Sequence, residues 1–144
     1  MLIKENSMEG RDIIRNDFDR IARLKENIWD HNIHYNEFLL KHLPCHFENA
    51  LDIDSGTGGF ARLLAEKAKN VTALDLSFEM IKTAEELSES FCNIEYRVQD
   101  IMEYMLEEKS YYCISSIATI HHLPLKEVLE RISKALKPGG VCWF

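Results

Sequence analysis

Apolar residues near the start of the chain recur with helical spacing. Between residues 10 and 30 they lie three or four positions apart, as one face of an amphipathic helix requires: Ile14, Phe18, Ile21, Leu24 and Ile28. A second helix is predicted over residues 32–43, ending before Pro44 because proline cannot continue a helix. Residues 1–43 are therefore predicted to form an N-terminal helical segment.

After this segment, short apolar runs alternate with helical stretches. The predicted strands cover residues 50–53, 71–74, 94–98, 111–116 and 140–144. The predicted helices cover residues 60–69, 77–90 and 124–136, with a short helical piece over 101–107. This alternation predicts an α/β fold with a Rossmann-like, doubly wound and mostly parallel sheet. We expect a single domain over residues 1–144, with its sheet core over 44–144.

A glycine-rich turn follows the first predicted strand, where Asp52 and Asp54 lead into Gly56, Gly58 and Gly59. Glycine allows positive φ and close approach of the backbone to a ligand, and the next helix begins with unpaired N–H groups. Ligands of doubly wound sheets bind beyond the carboxyl ends of the strands, where this turn is predicted to lie. The turn therefore predicts a nucleotide-type site.

The charge and the lengths of the apolar runs argue against two classes of partner, nucleic acids and membranes. The chain carries 17 Lys and Arg against 24 Asp and Glu, a formal net charge of −7, and its basic residues form no cluster. We therefore expect no nucleic-acid partner, since a phosphate backbone attracts basic patches. No apolar signal region opens the chain, and no apolar run approaches the roughly 18 residues that span a bilayer. We expect a cytoplasmic protein without a membrane partner.

The cysteine pattern argues against a metal site. Cys45, Cys92, Cys113 and Cys142 are widely spaced and form no CxxC pair. Three of them lie in or beside apolar runs, which is typical of reduced thiols in a core. We expect no bound metal.

Two kinds of adenosine ligand fit the turn. The spacing Gly56-x-Gly58-x-x-Ala61, with Asp75 after the second strand, satisfies the dinucleotide fingerprint and leaves an NAD-binding domain as an alternative. Asp52 before the glycines and Asp100 after the third strand favour a different adenosine ligand. The lack of a second nucleotide-binding half favours it too.

Five motifs resemble those of the class I S-adenosylmethionine-dependent methyltransferases, in particular the small free-standing type. Residues 51–58 (LDIDSGTG) resemble the first motif and residues 71–80 (VTALDLSFEM) the second. Residues 98–101, 114–123 and 136–140 are similar to the next three, in the same order. The resemblance implies the strand order 3-2-1-4-5, S-adenosyl-L-methionine as cofactor, and methyl transfer to a small-molecule substrate.

The resemblance also implies a cofactor site. Asp52 and the turn through Asp54, Ser55 and Gly56 would hold the methionine end, and Asp75 would accept the ribose hydroxyls. Asp100 and Ile101 would flank the adenine. The remaining implied contacts are the walls Leu76 and Met80, which a core role explains equally well, and Ser116 at the end of the fourth predicted strand.

His121 and His122 are candidate general bases, because an imidazole accepts a proton near neutral pH. The neighbouring Leu123 and Pro124 favour a structural turn instead. Methyl transfer from a sulfonium can proceed mainly through alignment of the reacting atoms, so the chemistry does not require a base.

The main departure from the resembled family is Asp54, which stands where that family has glycine. Its Cβ and carboxylate are expected to weaken cofactor binding by intruding where the methionine end approaches the backbone. Two observations favour the alternative that the site tolerates it. Aspartate reaches the left-handed conformation at modest cost, and a carboxylate attracts a sulfonium or ammonium group.

The C-terminal end of the chain is the second departure. Val141, Cys142, Trp143 and Phe144 end inside the fifth predicted strand, so the chain looks C-terminally truncated relative to the resembled family. An exposed apolar strand edge predicts self-association there. Asp54 and the missing C-terminal elements also leave open a non-catalytic remnant that binds an adenosine ligand or acts in regulation.

Overall fold

The computed structural model describes residues 33–117 and 123–144. In chain order its elements are α1 (Ile33–Lys41), β1 (Phe47–Ile53), α2 (Gly59–Ala65), β2 (Ala68–Asp75), α3 (Phe78–Leu87), β3 (Ile94–Val98), β4 (Tyr111–Ser115), α4 (Leu125–Ala135) and β5 (Leu136–Trp143). The helix predicted over residues 10–30 and the candidate bases His121 and His122 lie outside the described residues.

The described strands form one parallel sheet in the order β3-β2-β1-β4-β5. From β1 the chain winds outward to β2 and β3, and then returns to place β4 and β5 on the other side. The winding therefore reverses between β1 and β4, at the crevice where such sheets bind ligands. The predicted α/β class, the doubly wound Rossmann-like sheet and its strand order are confirmed.

Helices cover both faces of this sheet. Alternate residues of the central strands point to opposite faces, as the period of a strand requires. On one face Ala50 and Val71 pack with α1 and α2, and on the other Leu51 and Ile114 pack with α4. The ammonium group of Lys67 attaches the end of α1 by donating to the carbonyls of Leu40 (2.5 Å) and Leu43 (3.3 Å).

The predicted helix over residues 60–69 is too long. In the structure α2 ends at Ala65 and β2 already begins at Ala68, which is paired with Phe47 of β1. Both strands therefore extend further toward their N-termini than the apolar pattern indicated. The reason is that half-exposed strand ends need no apolar residues.

The short helix predicted over residues 101–107 is wrong. Asp100 begins a tight turn instead: its Oδ1 accepts a 2.7 Å hydrogen bond from the Met102 N–H, and its carbonyl accepts one of 2.9 Å from the Tyr104 N–H. An aspartate side chain that binds the backbone two residues later favours a turn over a continuing helix. The carbonyl of Tyr104 also accepts from the Arg131 guanidinium of α4.

The fifth strand begins earlier than the predicted residue 140. It starts at Leu136, opposite Tyr111, and an irregularity before the Cys113–Val141 pair accommodates the extra residues, including Gly139 at a φ of 79°. Among the described strands β5 lies at one edge of the sheet. Self-association through this edge stays a prediction.

Candidate functional site

The turn after β1 has a left-handed residue at every second position. The φ angles of Asp54, Gly56 and Gly58 are 54°, 56° and 82°. Left-handed conformations suit glycine, and aspartate tolerates them better than most residues. The Ser55 N–H donates to the Leu74 carbonyl at 2.9 Å and so fixes the turn against the end of β2.

The two central glycines of the turn have different surroundings. A Cβ built on Gly56 would have no described atom within 4 Å, so this residue borders open space at the carboxyl ends of β1 and β2. A Cβ on Gly58 would lie 2.2 Å from the Tyr96 hydroxyl oxygen. Gly58 is therefore needed for packing, whereas Gly56 leaves room for a ligand.

Asp75, at the end of β2, holds this turn in place. It is only 4% exposed. Its Oδ2 accepts a 2.8 Å hydrogen bond from the Gly56 N–H, and its Oδ1 accepts one of 2.9 Å from the Ser77 N–H at the start of α3. The sequence anticipated a ribose contact for Asp75, which stays a prediction, but it did not anticipate this structural role.

Asp52, near the end of β1, is buried, and one of its carboxylate oxygens has no hydrogen-bond partner among the described residues. It is 2% exposed, and its Oδ1 accepts a 2.7 Å hydrogen bond from the Ser115 hydroxyl of β4. Its Oδ2 is buried without a hydrogen-bond partner among the described residues. Burial, with a smaller contribution from the charges of Asp54 and Asp75, raises the pKa of Asp52 to about 7, although the Ser115 hydrogen bond lowers it.

Two serines adjoin residues of this site in the sequence: Ser55 follows Asp54, and Ser116 follows Ser115. The Oγ of Ser55 is also buried without a partner in the described part of the chain. Ser116 is fully buried, and its N–H donates to the Trp143 carbonyl at 2.9 Å. The turn thus brings the predicted residues Asp52, Asp54, Ser55, Gly56 and Asp75 together at one end of the sheet.

The predicted adenine side lies next to the end of β2. The Gln99 N–H donates to the Asp75 carbonyl at 2.9 Å, which brings the residues after β3 alongside β2. Met80 and Ile101 are 6% and 3% exposed, and Ile101 packs against the core residue Leu74. A core role for both is therefore evident, whereas contact of Met80, Ile101, Leu76 and Asp100 with an adenine stays a prediction.

A polar network behind the turn was missed at the sequence level. The Arg62 guanidinium of α2 donates to the Thr57 carbonyl at 2.8 Å and to the Ser88 hydroxyl at 3.1 Å. The Ser88 and Tyr96 hydroxyl oxygens lie 2.8 Å apart. No motif connects these residues, because they come from three separate elements. The one available signal was an arginine soon after the glycines.

The described part of the chain offers no cluster of metal ligands and no helix able to cross a membrane. Residues 33–117 and 123–144 contain no group of three or more His, Cys, Asp or Glu side chains able to hold a metal ion. None of the helices in these ranges has the length and apolar character needed to cross a membrane.

Known proteins match this chain across its sheet. The methyltransferase domain family matches residues 50–140. Phosphoethanolamine N-methyltransferase 2 of Caenorhabditis elegans is 38% identical over 97 residues, which cover 65% of this chain and 22% of the relative. Ubiquinone biosynthesis O-methyltransferase of Xylella fastidiosa is 30% identical over 107 residues, 72% of this chain and 44% of the relative. This chain therefore spans less than half the length of either relative.

A solved structure shares both sequence and fold with this chain. Phosphoethanolamine N-methyltransferase 2 of Haemonchus contortus, in complex with S-adenosyl-L-methionine, is 30% identical with a TM-score of 0.74. The match covers 86% of this chain and 32% of that one. These similarities favour the methyltransferase interpretation of the glycine turn over the NAD interpretation. The chain belongs to the class I S-adenosylmethionine-dependent methyltransferase family.

Proposed function

We propose that this chain binds S-adenosyl-L-methionine at the turn after β1 and transfers its methyl group to a small-molecule acceptor. The observation that carries this proposal is the Asp52 carboxylate, which is 2% exposed and has a buried Oδ2 without a partner among the described residues. A buried carboxylate oxygen is costly unless a donor or a cation satisfies it. The ammonium group at the methionine end is such a donor.

The turn next to Asp52 also fits this cofactor. Gly56 borders open space, and its φ of 56° gives the backbone a shape that a larger residue would adopt only with strain. The site lies where the strand order reverses, between β1 and β4. Asp52 and Ser115 are paired across that reversal, so both strands contribute to the same site.

The side chains here orient and shield a ligand. When bound, the cofactor supplies a methyl group made electrophilic by its positively charged sulfur. The Ser115 hydroxyl fixes Oδ1 of Asp52 and thereby directs Oδ2 toward a ligand ammonium group. Asp75 keeps the Gly56 backbone in place through its 2.8 Å hydrogen bond. Holding reactants in a fixed geometry is the main source of rate in such a transfer.

The acceptor is proposed to be small because both named relatives suggest small-molecule chemistry. One is a phosphoethanolamine N-methyltransferase and the other acts in ubiquinone biosynthesis as an O-methyltransferase. An amine and a hydroxyl are therefore the first two acceptor classes to examine. The acceptor atom itself is set by residues that the fold alone does not identify.

The test combines cofactor binding with turnover. Calorimetric titration with S-adenosylhomocysteine should give micromolar binding, which Asp52→Asn weakens at least about tenfold because the charge is lost while the shape is kept. Glu108→Gln removes the same charge at an exposed position before β4 and should bind normally. Formation of S-adenosylhomocysteine is then measured with phosphoethanolamine and with catechol as acceptors.

Three results would contradict part of this proposal or favour an alternative to it. Micromolar binding without turnover on a widened acceptor panel would favour the non-catalytic alternative. Saturable NAD binding without S-adenosylhomocysteine binding would favour the dinucleotide alternative. Equal affinities of the wild type and Asp52→Asn would contradict the role given to Asp52.

A further inference from the structure

The Arg62 guanidinium of α2 binds the backbone of the glycine turn. Its Nη1 donates to the Thr57 carbonyl at 2.8 Å and to the Ser88 hydroxyl at 3.1 Å. A Cβ built on Gly58 would lie 2.9 Å from the same nitrogen, so the guanidinium packs closely against the turn. Hydrogen bonds from a charged donor are stronger than those between neutral groups. Arg62 therefore fixes the backbone at Thr57.

The peptide group between Thr57 and Gly58 is held at both of its polar ends. Its carbonyl accepts from Arg62, and its N–H, which belongs to Gly58, donates to the Ser55 carbonyl at 3.0 Å. Gly58 has a φ of 82°, and glycine reaches negative φ as readily, so steric contacts within the backbone do not prevent this peptide from rotating. Its two hydrogen bonds therefore set its orientation.

This peptide adjoins the part of the turn that borders open space. A Cβ on Gly56 would have no described atom within 4 Å, and the Gly56 N–H donates to Asp75. Asp75 thus holds the peptide that precedes Gly56, and Arg62 holds the second peptide that follows it. A turn held on both sides offers a ligand a defined backbone surface, which lowers the entropy cost of binding.

The guanidinium is itself held by residues of two further elements. Ser88, which follows α3, is 5% exposed, and its hydroxyl oxygen lies 2.8 Å from that of Tyr96 on β3. The main chain of Arg62 also binds the turn, because its N–H donates to the Gly58 carbonyl at 2.9 Å. Contacts from α2, α3 and β3 therefore converge on the turn through this one side chain.

We propose that Arg62 is a positioning residue for the adenosine cofactor, because its hydrogen bond to the Thr57 carbonyl keeps the glycine turn in the conformation that receives the methionine end. This inference rests on the proposed function and deepens it. Arg62 acts through the backbone of the turn, so its loss weakens cofactor binding in a protein that still folds. S-adenosyl-L-methionine and S-adenosylhomocysteine share the amino acid end, so the loss weakens both.

The experiment compares the wild type with Arg62→Met, Arg62→Lys and Asn93→Ala by calorimetry with S-adenosylhomocysteine, at a temperature where each protein is fully folded. Methionine keeps an extended side chain without a donor, whereas lysine keeps a cationic donor. Asn93 is the matched control, because its half-buried Nδ2 also donates to two groups, the carbonyls of Ala65 (2.9 Å) and Ala68 (3.0 Å), at the end of α2 away from the turn.

We expect Arg62→Met to raise the Kd of S-adenosylhomocysteine about tenfold or more, and Arg62→Lys to restore part of the lost affinity. Asn93→Ala should keep the Kd within about twofold of the wild type, although it also loses stability. A second measurement needs no ligand. The amide hydrogen of Gly58 should exchange with solvent faster in Arg62→Met than in Asn93→Ala, because only the first variant frees the Thr57–Gly58 peptide.

The outcomes separate this inference from the proposed function. Equal affinities of the wild type and Arg62→Met would overturn the inference while leaving the proposed function intact. An equal loss of affinity in Asn93→Ala and Arg62→Met would also overturn it, because the effect would then be a general loosening of the fold. Weaker binding by Arg62→Met with unchanged exchange at Gly58 would show that Arg62 acts on the ligand and not through the turn. If the folded wild type binds no S-adenosylhomocysteine, the proposed function fails, and the inference fails with it.

Discussion

The ends of β1 and β2 lie side by side, and each carries a buried aspartate, yet the two carboxylates are used differently. Both oxygens of Asp75 accept backbone N–H groups, from Gly56 and from Ser77. Asp52 has one oxygen bound to the Ser115 hydroxyl and the other without a partner in the described part of the chain. Backbone N–H groups thus satisfy both carboxylate oxygens of Asp75, whereas the described residues leave one carboxylate oxygen of Asp52 without a donor.

This difference indicates which aspartate stabilises the fold and which is able to bind a cationic ligand. A carboxylate that holds two backbone amides stabilises the turn whether or not a ligand is present. A buried carboxylate with an open oxygen weakens the ligand-free fold and gains from a bound cation. The burial of the two side chains, 4% and 2% exposed, does not distinguish them. Their hydrogen-bond partners do.

The largest expected effect is the loss of the Asp75 carboxylate. Asp75→Ala leaves the buried N–H groups of Gly56 and Ser77 without acceptors, so we expect the free energy of unfolding to fall by about 3–5 kcal/mol in urea denaturation. Asp100→Ala is the matched control after the neighbouring strand β3, because it removes a half-buried carboxylate whose Oδ1 accepts from the Met102 N–H. A loss no greater than that of the control would contradict the structural role of Asp75.

The second expected effect is a pH dependence of the free energy of unfolding that comes from the titration of Asp52. Burial raises its pKa from 3.8 to about 7, so between these values the folded protein keeps a proton that the unfolded chain releases. Stability therefore falls as the pH rises through this window. Between about pH 5 and about pH 7 the wild type should lose roughly 2–3 kcal/mol more than Asp52→Asn, which carries no titratable group there.

The comparison of these two pH profiles by urea denaturation is decisive, because other carboxylates contribute equally to both proteins. Parallel profiles would show that Asp52 titrates normally and that its buried oxygen is satisfied. A cationic ligand should lower the pKa of Asp52 and flatten the wild-type profile, since it stabilises the charged form.

The smallest expected effect concerns the junction between β2 and α3. The Ser77 hydroxyl accepts a 3.0 Å hydrogen bond from the Met80 N–H and so caps this helix. Ser77→Ala should therefore lower the free energy of unfolding by about 1 kcal/mol. Ser133→Ala is the control, because its exposed hydroxyl binds the carbonyl of Glu130 within one helix. Its expected change is within about 0.5 kcal/mol.

The sheet could be predicted because its strands are apolar and alternate with helices. The N-cap Ser77, the stop before Pro44 and the glycine turn each have a local physical signal, and the structure has an element boundary at each. The helix predicted over residues 101–107 is wrong because an apolar pattern with helical spacing does not show that the Asp100 side chain binds the Met102 N–H.

The site could be predicted in part. Motif positions indicated that Asp52, Gly56 and Asp75 lie together, which the sheet order confirms. The sequence could not show that Asp75 binds Gly56 or that Oδ2 of Asp52 is buried without a partner in the described residues, since these are properties of packed atoms. The Arg62 network was invisible for the same reason, because its partners Ser88 and Tyr96 are distant in sequence.

The closeness of Gly58 to Tyr96 has a consequence for redesigning this protein. A Cβ at position 58 would meet the phenol of Tyr96 at 2.2 Å for its oxygen and 2.9 Å for its outermost ring carbon. Removing the hydroxyl alone, as in Tyr96→Phe, would leave the ring carbon in the way. A Cβ would also lie 2.9 Å from the Arg62 guanidinium, and the φ of 82° strains any other residue, so position 58 has to stay glycine in any library whatever stands at position 96.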